Sequence, residues 1–341
     1  MKIEAFVFDP SEPNSPQLKL AFKRYSRDDS TTACNPSGAL SLLLAHGSAL
    51  HKEQWEPTIE ALFAIQDSCS RRALVHEAWA VDWQSHGESA VINDNALQDR
   101  PEGISISEWG FALSQFMSSA HTRNRRIVAI GHSAGCSAIM YSTKYLLNGP
   151  NSYAAIILVE PPMIDRDVFN DHLQERLQQV GAITKSVSAS RGSWSTKEEA
   201  LKWLSAKYPW KTWDPRVLRL FVEHGLREHR DAGGRDCVVV KCSKKHEASA
   251  YKDFESTFEA TDMISAVCRA IPLHMIFGAK NDLVPRYSQD SLVDTSKGRV
   301  PQSITRLPGA GHLVVQEKPE LLAEALAEIL DTLVVSDLSR L

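Results

Sequence analysis

Apolar and polar positions along the chain fall into short alternating runs, continuous apolar runs and helical stripes. Lys2–Phe8 and Leu18–Tyr25 alternate around the Pro/Ser/Asn-rich stretch Pro10–Pro16, which predicts two antiparallel strands at one edge of a sheet. Leu40–Ala45 is apolar almost throughout, as a strand covered on both faces would be. Val75–Val81, Ile127–Ile130 and Ala154–Val159 read as further strands of the same kind. Between them the period changes. A helix is expected over Pro57–Asp67, with Pro57 in its first turn. The capping box Ser105-x-x-Glu108 opens a stripe of Ile106, Trp109, Leu113, Phe116 and Met117. Another helix should run from the Ile127–Ile130 strand to about Leu147. Strands and helices alternating in this way argue for right-handed βαβ units and a mostly parallel sheet.

The alternation stops after Ala154–Val159. Asp165–Val180 reads as helix, Ser195-x-x-Glu198 caps a second over Lys197–Lys207, and Asp214-Pro215 starts a third. Val238–Lys241 is a short strand candidate and Ile264–Ala270 a helix. This stretch reads as a largely helical insertion over the sheet. Leu273–Phe277 and Ser303–Leu307 resume the strand pattern, and Pro319–Val334 closes the chain as an amphipathic helix. The division expected is a first core part over 1–163, the insertion over 164–265, a second core part over 266–336 and a tail over 337–341.

Composition removes several function classes. The chain has 341 residues, 43% of them hydrophobic, enough for a large core. Its net charge of −4 gives no electrostatic footprint for nucleic acid. The six cysteines (Cys34, Cys69, Cys136, Cys237, Cys242 and Cys268) form no C-x-x-C pair and no metal-ligand spacing, so they read as reduced structural thiols. No apolar run reaches bilayer length and Met1–Pro10 lacks a signal-peptide core, so a protein without a transmembrane segment, and not secreted, is expected. The terminal Ser339-Arg340-Leu341 is a conservative variant of the S-K-L peroxisomal address, which implies a peroxisomal import receptor as partner and the matrix as location.

The chemistry centres on Gly131-His132-Ser133-Ala134-Gly135, a G-x-S-x-G pentapeptide between a strand and a helix. Such a turn exposes the serine hydroxyl, and small flanking residues let strand and helix approach. A hydrolytic serine needs a base and a group that orients the base. His312, on the Gly-flanked loop Gly309-Ala310-Gly311 after the last strand, is the best base. His132 neighbours the serine but points elsewhere and is read as structural. Two acids compete for the third role, Asp282 in G-A-K-N-D and Glu160 in L-V-E-P, both just past strand ends where open α/β sheets build their sites. Asp282, shorter and stiffer, is preferred, with Glu160 open. An oxyanion hole needs two converging backbone donors, for which Ala134 N–H and Ser48 N–H, in His46-Gly47-Ser48, are the candidates. No cofactor or metal is called for.

H-G-S at 46–48, D-W-Q-S-H-G-E-S at 82–89, G-H-S-A-G at 131–135, G-A-K-N-D-L-V-P at 278–285 and G-A-G-H at 309–312 come in the order of the α/β-hydrolase superfamily, which the chain resembles from about residue 38 to 335. That resemblance implies an eight-stranded, mostly parallel sheet flanked by helices, with the insertion where the superfamily carries its cap. The stretch A-H-G-S-A-L-H-K-E-Q-W-E-P at 45–57, with the S-R-L tail, resembles fungal peroxisomal hydrolases of toxin and mycophenolic acid clusters. Among the latter the triad acid resembles the position of Glu160, which keeps the choice of acid open.

The function expected is cleavage of an ester or thioester, such as an acyl-CoA of peroxisomal lipid or secondary metabolism, through an acyl-enzyme on Ser133. A non-catalytic binder on the same scaffold and a cofactor-free haloperoxidase are the alternatives. Ser133 in place of an aspartate speaks against dehalogenase or epoxide hydrolase chemistry. For a CoA substrate, Lys241, Lys244, Lys245 and His246 are a candidate phosphate patch. Trp194, Trp203, Trp210 and Trp213 are expected mostly in the core of the insertion.

Overall fold

A computed structural model describes residues 1–10, 17–27, 39–68, 75–147 and 149–338, with side chains to residue 333. Most of the expected Pro10–Pro16 turn, Cys34, Cys69 and Ser339-Arg340-Leu341 lie outside the described residues. Eleven strands are present among those described: β1 (Lys2–Phe8), β2 (Leu20–Ser26), β3 (Leu40–Ala45), β4 (Val75–Val81), β5 (Arg126–His132), β6 (Ala155–Val159), β7 (Ser193–Trp194), β8 (Leu226–Arg230), β9 (Asp236–Val240), β10 (Leu273–Gly278) and β11 (Ser303–Leu307). Eight form the main sheet in the order β1-β2-β4-β3-β5-β6-β10-β11. The pairs β1–β2 and β2–β4 are antiparallel and the other five parallel, so the mostly parallel sheet with an antiparallel edge is present.

Both faces of this sheet are covered, which explains why its central strands read as continuous apolar runs. Leu40, Leu42 and Leu44 point to one face, against Trp55, Ile59, Leu322 and Leu326 of the helices Glu56–Ser68 and Pro319–Leu338 and the turn before them. Leu43 and Ala45 point to the other, against Trp109, Leu113, Ile139 and Ile264. Each such leucine contributes roughly 1.5–3 kcal/mol by burial. The chain leaves β3 for β4 on one side and reaches β5 on the other. The reversal opens a crevice at the carboxyl ends of β3 and β5, the place where open α/β sheets hold ligands.

Between β6 and β10 the helices Arg166–Asp171, Leu173–Ala189, Lys197–Leu204, Pro215–His224, Lys244–Ala250 and Phe254–Ala270 lie with a small sheet ordered β7-β9-β8, and the last helix begins ten residues before the Ile264–Ala270 expected. Other details also depart from the sequence reading. The helix expected over Asp165–Val180 breaks at His172 (φ −114°, ψ 21°), then continues to Ala189, since Gly181 faces open space and does not stop it. The second helix is capped by Thr196, whose hydroxyl accepts from Glu199 N–H at 3.2 Å, one residue beyond the Ser195–Glu198 box expected. The hairpin β8–β9 was hidden by its polar strand Leu226–Arg230. Its turn is held by Asp231 Oδ1, which accepts from Gly233 and Arg235 N–H at 2.9 Å each. Trp194 and Trp213 are buried with Leu204, Val217 and Phe221, and Trp203 and Trp210 pack against them, as expected.

Candidate active site

The pentapeptide sits at the carboxyl end of β5. Ser133 takes φ 51° and ψ −122°, a conformation that costs a non-glycine residue roughly 1–3 kcal/mol. Its N–H donates to Val159 O at 3.1 Å and its carbonyl accepts from Cys136 N–H at 2.8 Å, tying the turn to β6 and to the helix Ala134–Leu146. The flanking glycines have no room for a side chain. A Cβ at Gly131 would lie 2.5 Å from Cys136 N, and one at Gly135 would lie 2.3 Å from Ala45 O. The close strand–helix approach read from the sequence is therefore backbone against backbone.

His312 Nε2 lies 3.0 Å from Ser133 Oγ, and His312 Nδ1 lies 3.1 Å from Glu160 Oε2. A carboxylate only accepts, so the Nδ1 position carries the ring proton and Nε2 faces the serine hydroxyl as an acceptor. Glu160 itself is fixed, with Oε1 accepting from Gly278 N–H at 2.5 Å. Glu160, His312 and Ser133 meet although 152 and 179 residues separate His312 from the other two.

The preference for Asp282 at the ring does not match this geometry. Asp282 Oδ1 accepts from the main-chain N–H of His312 at 2.9 Å, while Glu160 holds the imidazole. The reason is topological. Glu160 ends β6, which pairs directly with the serine strand β5, whereas Asp282 lies beyond the end of β10, one strand further out. Gly311 is what lets Asp282 come so close, because a Cβ there would lie 1.9 Å from Asp282 Oδ2.

His132 does more than the sequence reading assigned to it. Its Nε2–H donates to the His312 carbonyl at 2.8 Å, so the main chain of His312 is gripped at both N–H and C=O. Burial pushes the His132 pKa down to about 3, which keeps this donor neutral.

The loop after β3 is held with similar care. His46 is buried, its pKa lowered by burial to about 4, and its Nδ1–H donates to Gly47 O at 2.7 Å. Its Nε2 accepts from Trp83 N–H at 3.1 Å, and Leu50 N–H adds a second bond to Gly47 O at 3.3 Å. In a planar trans peptide the Ser48 N–H points opposite to the Gly47 carbonyl, so pinning that carbonyl also aims Ser48 N–H. Gly47 packs on the serine turn, where a Cβ would lie 3.0 Å from Ser133 Cβ. Ala134 is the first residue of its helix and has no helical acceptor for its N–H. Beneath the loop lies a buried ion pair. Lys52 Nζ reaches Asp82 Oδ2 at 2.7 Å and Glu53 Oε1 at 3.0 Å, and Asp82 also accepts from Lys52 N–H and Glu88 N–H at 2.8 Å.

Ser48, Ser133, Ala134 and His312 open onto one cavity of about 160 Å³. Its lining also includes Val180 and Ile183 of the helix Leu173–Ala189 and Phe254 and Phe258 of the helix Phe254–Ala270. Of the candidate phosphate patch, Lys241, Lys245 and His246 line one open groove, and Lys244 and Lys245 line a second with Lys252, though several of these groups already have partners. Lys241 Nζ pairs with Glu88 Oε2 at 2.6 Å, Lys244 Nζ donates to the carbonyls of Ser188 and Ser190, and buried His246 Nε2–H donates to Arg100 O at 3.0 Å.

Comparisons with known proteins agree with this architecture. The chain is 23% identical over 349 residues to the peroxisomal membrane protein LPX1 of Saccharomyces cerevisiae, covering 95% of this chain and 85% of that protein. Over 147 residues it is 26% identical to the type I acyl-CoA thioesterase mpaH of Penicillium roqueforti, covering 42% of this chain and 31% of that one. It spans less than half the length of that thioesterase and of the one from Penicillium brevicompactum. Among solved structures, yeast Lpx1 superposes with a TM-score of 0.71 at 21% identity, covering 98% of this chain and 90% of that one. An E-2-(acetamidomethylene)succinate hydrolase superposes with a TM-score of 0.65 at 17% identity, covering 97% and 100%. The model of the alpha/beta hydrolase family matches residues 42–325, and the chain belongs to that family.

Proposed function

We propose that this hydrolase cleaves an ester or thioester through an acyl-enzyme on Ser133. The observation that carries the reading is the Glu160–His312–Ser133 chain of contacts at the sheet crevice, facing a cavity that Ser48 and Ala134 also line. Ser133 Oγ attacks the acyl carbonyl carbon while His312 Nε2 takes its proton. The oxyanion formed is met by the N–H groups of Ser48 and Ala134. Collapse expels the alcohol or thiol, protonated by His312. Water, deprotonated by the same nitrogen, then attacks the acyl-enzyme, releases the acid and returns Ser133 to its hydroxyl form. Glu160 holds the ring in the required tautomer and stabilises the imidazolium, while Asp282 and His132 fix the main chain that carries it.

The acyl-CoA version of this reading is supported by the relatives named as acyl-CoA thioesterases and by the largely apolar lining of the cavity. The cap expected over 164–265 ends before the helix Phe254–Ala270, whose Ala260 and Ile264 pack in the main core. A peroxisomal location is supported by the name of the yeast relative and by Ser339-Arg340-Leu341 read as the import address. Rapid mixing with a p-nitrophenyl ester should give a burst of p-nitrophenolate stoichiometric with enzyme, and Ser133→Ala should abolish it; equal turnover by the variant refutes the mechanism. Rates over an acyl-CoA chain-length series, against simple esters, then define the leaving group. A fluorescent fusion should leave peroxisomes when residues 339–341 are deleted, and an unchanged pattern rules out the tail as address.

A further inference from the structure

The cavity wall holds one cation besides histidine among the described residues, Arg176 on the helix Leu173–Ala189. Its Nη1 donates to Gln179 Oε1, and Gln179 Nε2–H is tied to Leu283 O at 2.8 Å, so the guanidinium is oriented by a fixed amide. Its Nε is buried and has no hydrogen-bond partner. Tyr287 lies beside both Arg176 and Glu175, and the nearby acids are hydrogen-bonded elsewhere. Glu175 is engaged by Tyr287 OH at 2.9 Å, and Asp253 spends its two oxygens on the main-chain N–H groups of Ile106 and Ser256. Among the described residues none forms an ion pair with Arg176. An unsatisfied buried donor on a permanent charge is costly, and a carboxylate presented edge-on would satisfy Nε and an Nη together.

We propose that Arg176 is a specificity residue that receives a carboxylate at the far end of the substrate's acyl chain, so that the preferred substrates are half-esters or half-thioesters of dicarboxylic acids. The proposal rests on the reading of Ser133 as the acylated residue. Val180, Ile183, Phe254 and Phe258 share the cavity wall with Arg176. An apolar sleeve containing one forked cation matches a methylene chain ending in a carboxylate. The same fork would bind a phosphate of a CoA leaving group, and the test separates the two.

The wild type is assayed on mono-p-nitrophenyl adipate and p-nitrophenyl hexanoate, which differ in the terminal carboxylate and share a leaving group. The wild type should prefer the adipate ester. In Arg176→Gln the ratio of the two kcat/KM values should fall about 10- to 100-fold, mainly through KM for the charged ester, with partial recovery in Arg176→Lys, which keeps the charge but not the fork. A wild type without preference, or a ratio unchanged in Arg176→Gln, overturns the proposal. So does an effect confined to KM for hexanoyl-CoA, which would assign the cation to the leaving group's phosphates. A binding arm does not depend on turnover. By calorimetry, Ser133→Ala should bind monomethyl adipate and not dimethyl adipate, and adding Arg176→Gln should remove the difference; equal binding of both esters overturns the proposal. If the wild type hydrolyses no ester while this binding difference holds, the acyl-enzyme reading fails and the carboxylate site stands.

Discussion

Replacing Glu160 by glutamine keeps the volume and removes one acceptor. Glu160 Oε1 accepts from Gly278 N–H at 2.5 Å, so the amide oxygen of glutamine favours that position. Its NH2 group then faces His312 Nδ1, 3.1 Å away in the native site, and drives the imidazole into the tautomer whose Nε2–H points at Ser133. A serine facing a donor cannot hand over its proton. In triads where the orienting carboxylate becomes its amide, this wrong tautomer costs roughly 10⁴-fold in kcat. The alternative is to flip the amide, which restores the tautomer but sets NH2 against the buried Gly278 N–H at a cost of about 1–3 kcal/mol per unsatisfied donor. Either route predicts a loss of about 10²- to 10⁴-fold. Asp282→Asn retains an oxygen for the His312 main-chain N–H and should cost only about fivefold, the scale of one weakened charge-assisted bond. The assay is kcat/KM on a p-nitrophenyl ester for both variants, with thermal melting to confirm folding. An Asp282→Asn loss larger than the Glu160→Gln loss would refute the assignment of the acid.

Three further outcomes follow from the same geometry. Gly311→Ala places a Cβ 1.9 Å from Asp282 Oδ2, so the carboxylate and the His312 main chain must shift, and kcat should fall about 10²-fold with the fold retained; an unimpaired variant contradicts the grip on His312. Asp82→Asn takes one of two carboxylates from buried Lys52, leaving Glu53, and should cost about 1.5–3 kcal/mol in denaturant unfolding, the scale of a hydrogen bond to a charged group, whereas a loss below about 1 kcal/mol, the scale of an exposed pair, would contradict the burial described. The folded pKa of His46 is lowered from 6.5 to about 4 and that of His132 to about 3, in both cases by burial. Over that window the unfolded chain binds more protons, so this stabilisation is complete above about pH 6.5 and lost as pH falls through the folded values, each pKa unit being worth about 1.4 kcal/mol. Denaturant midpoints that stay flat from pH 7 to pH 4 would contradict the neutral, buried state of these rings.

Much of the sheet was legible because its strands are short apolar runs that carry their chemistry at their ends. Ser133, His312 and His46-Gly47-Ser48 could be placed from their glycines and from strand endings alone. The choice of acid could not, since both carboxylates follow strands and strand order is set by pairing that no local pattern records. His132 and Arg176 were also out of reach. The first acts through a hydrogen bond to a residue 180 positions away, and the second sits on an ordinary amphipathic helix whose only signal is which cavity it lines. Of the hairpin Leu226–Val240 only the second strand was legible, as Val238–Lys241; the first, Leu226–Arg230, is polar and exposed, so period-two alternation is absent where burial does not demand it.

In the proposed mechanism Ser133 is the residue acylated in turnover. Labelling the purified protein with a fluorophosphonate and mapping the adduct by peptide mass spectrometry tests it directly. A single stoichiometric adduct on Ser133 is expected, formed far more slowly in Glu160→Gln and absent in Ser133→Ala. No adduct on the folded protein, or an adduct on another residue, would contradict it.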